Sequence, residues 1–395
     1  MSDRAMPSLS ETERLDRLRL IRSENVGPIT FRRLIERYGS AGEALAALPD
    51  LARRGGRRGS VRICPPARAQ AEMESLRACG ARLIICGDAD YPPLLAAIDD
   101  APASVALIGD AGLLTAAAMA VVGSRNASLN GRHTAAELAR DLGAAGFVVV
   151  SGLARGIDGE AHRAALPYGT IAVLAGGVDV CYPQEHQDLY ARIKESGAII
   201  AEAPPGMAPQ ARHFPRRNRL ISGLARGVVV VEANLRSGSL ITARMAGEQG
   251  REVFAVPGSP RDPRARGCNE LIRHGATLTE SIADILAVLP APAAPRIPRP
   301  AAMASDASRP PIAVAPASTP PPAHAKSPLR TGIDADPPDA ARRAVAETLS
   351  PTPVAVDEII RTCQLSPGLI STILLEWELA GRLERHPGNR VSLIT

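Results

Sequence analysis

The chain has 395 residues, 45% hydrophobic and 22% charged, a length that predicts two or three domains and a composition ordinary for globular proteins. No apolar run approaches the roughly 18 residues of a membrane-spanning helix, and residues 1–19 lack the apolar stretch of a secretory leader. A soluble, cytoplasmic protein without membrane association is expected. The 46 Lys and Arg against 41 Asp and Glu leave a net charge of +5, which permits an acidic partner without requiring one. The six cysteines, Cys64, Cys79, Cys86, Cys181, Cys268 and Cys363, form no C-x-x-C pair, so no zinc site, disulfide framework or other cofactor is expected. Lys194 and Lys326 are the two lysines, and neither follows a Gly-rich loop. That excludes a G-x-x-x-x-G-K-[S/T] phosphate loop.

In chain order, Leu15, Leu18 and Ile21 recur at helical spacing, Asn25-Val26-Gly27-Pro28 reads as a turn, and Phe31, Leu34 and Ile35 resume the period. A small all-α domain, SAM-like or helix-hairpin-helix-like, is expected over 1–79. From 80 to 289, apolar β-branched runs alternate with helical stretches, as in a doubly wound, Rossmann-like α/β sheet covered on both faces. Strands are predicted at 82–86, 105–109, 119–122, 147–150, 170–174, 198–201, 227–231 and 252–256, and helices at 133–142, 156–165, 185–195 and 240–249. Residues 290–338 are rich in Pro, Ala and Ser and read as an extended linker. Beyond it, helices at 339–348, 354–363 and 366–380, the last opened by Ser366 as N-cap and Pro367, precede a hairpin around 387–389. Three helices and a hairpin define a winged-helix domain over 339–395.

Ligands of open α/β sheets bind beyond the carboxyl ends of the strands. Those ends read Gly123-Ser124-Arg125-Asn126, Ser151-Gly152-Leu153-Ala154, Ala175-Gly176-Gly177, Glu202-Ala203, Glu232-Ala233 and Pro257-Gly258. Small residues there let a ligand approach backbone N–H groups, and the helices that follow favour anions. A nucleotide or a chain of phosphates is the expected ligand. The dinucleotide fingerprint G-x-G-x-x-G is absent, and Arg125 is placed to bind phosphate through its own guanidinium fork.

A second cluster, His213-Phe214-Pro215-Arg216-Arg217-Asn218-Arg219, sets an aromatic ring among arginines in a chain with only 3% aromatic residues. Base stacking on Phe214, with phosphates neutralised by Arg216, Arg217 or Arg219, is the physics of single-strand binding. The opposing reading packs Phe214 into the core and pairs some arginines with acids such as Glu202. Asp158 and His162 stand four apart after Ser151, which suits acid–base chemistry or an internal hydrogen bond. Glu232 either orients a ligand or caps the turn leading to Ser237-Gly238-Ser239.

Val121-Val122-Gly123-Ser124-Arg125, Ser151 through Asp158 with Ala161-His162, Gly177-Val178-Asp179 with Tyr182-Pro183, Phe214 through Arg219, Ser237-Gly238-Ser239 and Val256-Pro257-Gly258 together resemble the DprA (Smf) family of DNA-processing proteins. The resemblance implies a non-enzymatic protein that binds incoming single-stranded DNA in natural transformation, protects it and helps load the RecA recombinase. It also implies a homodimer formed through the Rossmann-like domain. By motif position, Arg125 becomes the pocket arginine and Phe214 the stacking residue, surrounded by Gly123, Ser124, Arg217 and Asn218. Many relatives carry a lysine after the Tyr-Pro step where this chain has Gln184, so Arg212 and His213 join Arg216 and Arg219 as candidate phosphate contacts.

The presumed recognition helix of the winged-helix domain, 370–380, carries Glu376 and Glu378 and no basic residue, unlike a helix that enters a phosphate-lined groove. A protein-interaction or regulatory role is expected, with Arg382, Arg385 and Arg390 as the remaining argument for DNA and Trp377 as core. The competing function class is a nucleotide-binding hydrolase or transferase on the same sheet, since fold alone does not decide function.

Overall fold

The computed structural model describes residues 9–57, 59–292, 337–349, 353–386 and 388–394; most of the expected linker lies outside them. Four helices come first: α1 (Glu11–Ile21), α2 (Pro28–Tyr38), α3 (Ala41–Arg54) and α4 (Pro66–Ala78). Local chemistry sets their starts. Ser10 and Ser40 accept hydrogen bonds from the N–H groups of Glu13 and Glu43, and Pro28 occupies the first turn of α2.

The body runs β1 (Arg82–Ile85), α5 (Pro93–Ala96), β2 (Ser104–Gly109), β3 (Ala118–Val122), α6 (Leu129–Ala144), β4 (Val148–Ser151), α7 (Ile157–Ala165), β5 (Thr170–Gly177), α8 (Gln187–Ser196) and β6 (Ala198–Ala203). It continues through α9 (His213–Leu224), β7 (Gly227–Val230), α10 (Gly238–Glu248), β8 (Glu252–Ala255), α11 (Arg266–Arg273), β9 (Thr277–Leu278) and α12 (Ile282–Val288). The nine strands lie in the order β1-β2-β6-β5-β4-β3-β7-β8-β9. The central strands β3, β4 and β7 are buried along their whole length, as expected of strands covered on both faces. Successive residues feed opposite cores: Ala120 and Val122 pack with Leu220, Ile221 and Leu224 of α9, whereas Met119 and Val121 pack with Ala135, Leu138 and Leu142 of α6.

The sheet is mixed rather than wholly parallel. β2 pairs antiparallel with both β1 and β6, while β3 through β9 pair parallel. Only the four-residue α5 lies between β1 and β2, too little for the crossover that parallel neighbours need. Several elements of the body lie outside the predicted set, α5, α9, α11, α12 and the two-residue β9, and of these α9 bears directly on the site.

At the C-terminus, α13 (Asp339–Thr348), β10 (Val354–Ala355), α14 (Val356–Cys363), α15 (Pro367–Leu379), β11 (Leu383–His386) and β12 (Arg390–Leu393) form a winged helix with a three-stranded sheet. One face of its α15 packs against the N-terminal helices. Leu375 and Leu379 join the apolar cluster of Leu20, Val26, Phe31, Leu34 and Leu48. Asn25 donates to the Leu379 carbonyl, Arg33 to that of Ser371, and Arg382 to that of Gly55. No helix among the described residues is long and apolar enough to cross a membrane.

Candidate nucleic-acid interface

The first parallel strand, β3, has β4 on one side and β7 on the other, so successive connections leave it in opposite directions. Such a switch point opens a crevice at the strand carboxyl ends. A cavity of about 470 Å³ lies there, bordered by Gly123, Ser124 and Arg125 after β3, Ala154 and Asp158 near α7, one face of α9, and the start of α10.

Two features of the loop after β4 shape this floor. Asp158, in the first turn of α7, accepts hydrogen bonds from the N–H groups of Gly152 and Ala154 at 3.1 and 3.3 Å. Leu153 takes up a left-handed backbone, φ 55°, an unfavourable state for a branched residue unless its surroundings fix it. Two buried histidines fix it: its N–H donates to His162 Nε2 at 3.3 Å, and its carbonyl accepts from His186 Nδ1 at 3.0 Å. His162 Nδ1 in turn meets Thr170 Oγ1 at 2.7 Å, and that hydroxyl donates to the Val149 carbonyl. These partners define the neutral Nδ1–H tautomer. Burial drives the His162 pKa down to about 3, helped by His186 and Arg217. The Asp158–His162 pair is therefore internal scaffolding. Glu232 likewise turns inward, its oxygens accepting from the Ser128 N–H and hydroxyl at the start of α6 rather than from the Ser237 turn.

The helical form of α9 divides the arginine cluster. Residues three, four and seven apart share a helical face, and Phe214, Arg217, Asn218 and Ile221 all line the cavity. Arg125 lies over the Phe214 ring at 4.8 Å and Arg217 lies 6.0 Å from the same centroid, cation–π geometry that leaves the Arg125 guanidinium exposed. Arg217 is 6% exposed. Its Nη1 donates to the Val173 carbonyl at 2.6 Å, and a Cβ at Gly152 would overlap its guanidinium, so glycine there is a packing requirement. Burial lowers its pKa to about 10, against the pull of Asp158; it stays charged at neutral pH. Burial also raises the Asp158 carboxyl, countered by Arg217 and the two N–H donors.

Two arginines of the predicted set belong elsewhere. Arg219 is buried in an ion pair with Glu202 at 2.6 Å and also donates to the Asp100 carbonyl; its charge is fully committed, and it is removed from the site. Arg216, exposed on the opposite face of α9, borders a separate cleft of about 990 Å³ against Gly27, Met245 and Asn389. Arg212 and His213 stand at the start of α9 outside the cavity lining. Slight burial, with Arg212 and Arg216 nearby, holds His213 below the usual imidazole range, so it brings no charge at neutral pH.

The structure adds residues absent from the predicted set. Tyr182, 50% exposed, sets its ring 5.8 Å from that of Phe214 at 56°, and Asn234, Ser237, Gly238, Ser239, Ile241 and Thr242 complete the cavity. The Ser237-Gly238-Ser239 step after a strand was their signal in the sequence.

On the wing, Arg385 is buried against Glu378 at 2.8 Å, and Arg382 stacks 5.2 Å from the Trp377 ring while donating to Gly55. Arg382 and Arg390 are exposed, but the guanidinium of Arg382 is held by Gly55 and Trp377. Trp377 is core, as expected.

Fold and site together define a Rossmann-like body, with an aromatic and cationic crevice at its switch point, carried between a helical hairpin module and a winged helix. Residues 82–290 match the family model for DNA recombination-mediator protein A, residues 11–75 that for the DprA-like N-terminal HHH domain, and residues 316–389 that for the DprA winged helix domain. The chain belongs to the DprA/Smf family of DNA processing proteins. It is 34% identical to protein Smf of Synechocystis over 77% of this chain and 78% of that one. It is 47% identical to protein Smf of Escherichia coli over 50% of this chain, a match that spans about half (53%) of that relative. The X-ray structure of DNA processing protein A from Streptococcus pneumoniae superposes with a TM-score of 0.60 at 36% identity, covering 71% of this chain and 98% of that one.

Proposed function

We propose that this chain binds single-stranded DNA along the rim of the central sheet, protects the strand and passes it to a RecA-type recombinase, acting by binding rather than by covalent chemistry. It works in the cytoplasm as a homodimer joined through the body, 80–289, with 1–79 and 339–395 as flanking domains. Family membership supports the recombination role. The observation that carries the binding role is the stack of Arg125 over Phe214 at the mouth of the cavity, with Arg217 beneath. A flat ring accepts any base, and a neighbouring exposed guanidinium accepts the adjoining phosphate, so the pair suits a flexible strand of any sequence.

The competing enzyme reading loses support at the helix starts. A nucleotide-binding sheet offers the N–H groups after its strands to phosphate, but here Asp158 takes those of Gly152 and Ala154, and Glu232 takes that of Ser128. The test is a fluorescence-anisotropy titration with single-stranded and duplex DNA of equal length across a salt series. Tighter binding to the single strand is expected, with log affinity falling by about 0.7 per neutralised phosphate for each unit of log salt. Equal affinity for both forms, or no salt dependence, defeats the proposal.

A further inference from the structure

The cleft on the far side of α9 is larger than the cavity at the switch point, about 990 Å³ against 470 Å³. Phe214 and Arg217 line the cavity, whereas Arg216 and Arg219 line the cleft. Its walls come from all three domains: the turn at 25–29 of the N-terminal helices, residues 97–100 after α5, the end of α10, and β11 with Ile394 of the winged helix. Junctions between domains are where ligand sites commonly form.

Two properties of the lining define what fits. One is apolar surface. Pro28, Ile29, Met245 and Leu383 border the cleft, and Ile394, 52% exposed, stands open to it, so a segment that covers them gains from burial. The other is charge. Five carboxylates and three guanidinium groups lie on the lining. Asp100 and Glu378 are matched by Arg219 at 3.5 Å and Arg385 at 2.8 Å. Asp99 and Glu384 are exposed and have no ionic partner among the described residues. Glu248 meets Arg244, one turn back, at a long 3.7 Å with both side chains exposed, a contact worth little in water. Against these three acids stands one uncommitted cation, Arg216. In a chain of net charge +5 this is a local excess of acid. It repels a polynucleotide and complements a cation.

We propose that this cleft docks a short segment of a partner protein whose apolar side chains alternate with lysine or arginine. The winged helix then acts by completing a protein site, since the acids of its α15, Glu376 and Glu378, are spent on Arg342 and Arg385. The inference does not rest on the single-strand reading. Because cavity and cleft use opposite faces of α9, a strand and a partner are held together without competing for one surface.

The probes are three short fluorescein-labelled peptides, built from Leu and Lys, from Leu and Glu, and from Ser and Lys, titrated by anisotropy into the full chain at physiological ionic strength. The Leu/Lys peptide should bind at least about tenfold tighter than either of the others. Asp99→Lys, Glu248→Lys and Glu384→Lys combined should weaken it about tenfold or more. The matched control, Glu137→Lys, Glu195→Lys and Glu252→Lys combined, makes the same change in net charge at exposed positions outside the cleft and should weaken it by less than about threefold. Ile394→Ser, which alters no charge, should weaken it by about threefold or more. A Leu/Lys peptide that binds no tighter than the other two overturns the inference, as does equal weakening by the two triple variants or wild-type affinity in Ile394→Ser. A thermal melt accompanies each variant; if the cleft triple melts early, Glu384→Lys alone is compared with Glu137→Lys alone, and equal affinity overturns the inference. Light scattering tests the other occupant: a lower molar mass of the cleft variant than of wild type means that a second copy of the chain fills the cleft, and the partner segment falls. Phe214→Ala, at the rim, should leave peptide affinity unchanged, so the cleft and the single-strand reading stand or fall separately.

Discussion

The sheet rim and the winged helix are both places where proteins commonly meet nucleic acid, and in this chain they treat their cations in opposite ways. At the rim, Arg125 stays exposed above Phe214, and Arg217 lines the cavity beside the same ring. On the winged helix, Arg385 is locked to Glu378, Arg382 caps Gly55 and covers Trp377, and Arg342 of α13 pairs with the fully buried Glu376 of α15. Arginine content therefore says little by itself. What separates a binding surface from a structural one is whether an internal acceptor has already claimed the guanidinium.

The contrast within α9 gives the largest expected effects. Arg219→Ala leaves Glu202 beside a buried gap and should lower stability by about 3 kcal/mol, the lower end for a broken buried pair because Glu202 is partly wet, while single-strand affinity of the folded fraction is unchanged. Urea denaturation and anisotropy on the same samples check both halves, and a specific loss of affinity would return Arg219 to the site. Phe214→Ala should do the reverse, weakening binding by about 1–3 kcal/mol per stacked base with little change in unfolding midpoint and no change in salt slope. Arg125→Ala, in turn, should flatten that slope by about 0.7.

The rim strands were legible because buried parallel strands are continuous apolar runs, and the small residues ending them mark where a ligand can approach backbone. The division of the arginine cluster was hidden because α9 was not seen as a helix. Pro215 and three arginines mask its apolar period, although proline is tolerated in a first turn and Leu220, Ile221 and Leu224 repeat at helical spacing. As neighbours in sequence, the candidates from Arg212 to Arg219 point to one groove; wound into a helix, Arg217 and Arg219 part company. Tyr182 escaped for another reason, since its contact with Phe214 is made only when the loop after β5 folds over α9. The antiparallel β2 was equally invisible, because its partner β6 is distant in the chain. In the winged helix the acidic character of α15 was plain, but its docking on α2 and α3 depends on a surface that no local pattern describes.

The scaffold under the rim gives an effect of middle size. His162 is neutral in the fold, with a pKa near 3 against the ordinary 6.5, so the unfolded chain binds the extra proton. Stability should be fully present above pH 6.5 and fall as pH drops towards 3, by at most about 1.4 kcal/mol per pH unit from this one group. Asp158, raised by burial, acts in the opposite sense above its unfolded pKa of 3.8, so the His162 contribution is read by difference. Denaturation of wild type and His162→Gln at pH 7, 6 and 5 should show the steeper decline in wild type. Parallel profiles would mean that the imidazole is not held neutral.

The smallest effect on DNA binding is expected where the winged helix meets α3. Gly55 lies so close to Glu376 that a Cβ would overlap its carbonyl and crowd Ala380. Gly55→Ala should therefore push α15 off the N-terminal helices without touching the rim. Limited proteolysis should then cut the C-terminal helices faster, because Leu375 and Leu379 lose their apolar partners. Single-strand affinity should stay within about threefold of wild type, less than one charge-assisted contact is worth. If affinity for either single-stranded or duplex DNA instead rises sharply as the winged helix loosens, the docked α15 has been concealing a second nucleic-acid surface, and the division between an available rim and a committed winged helix fails.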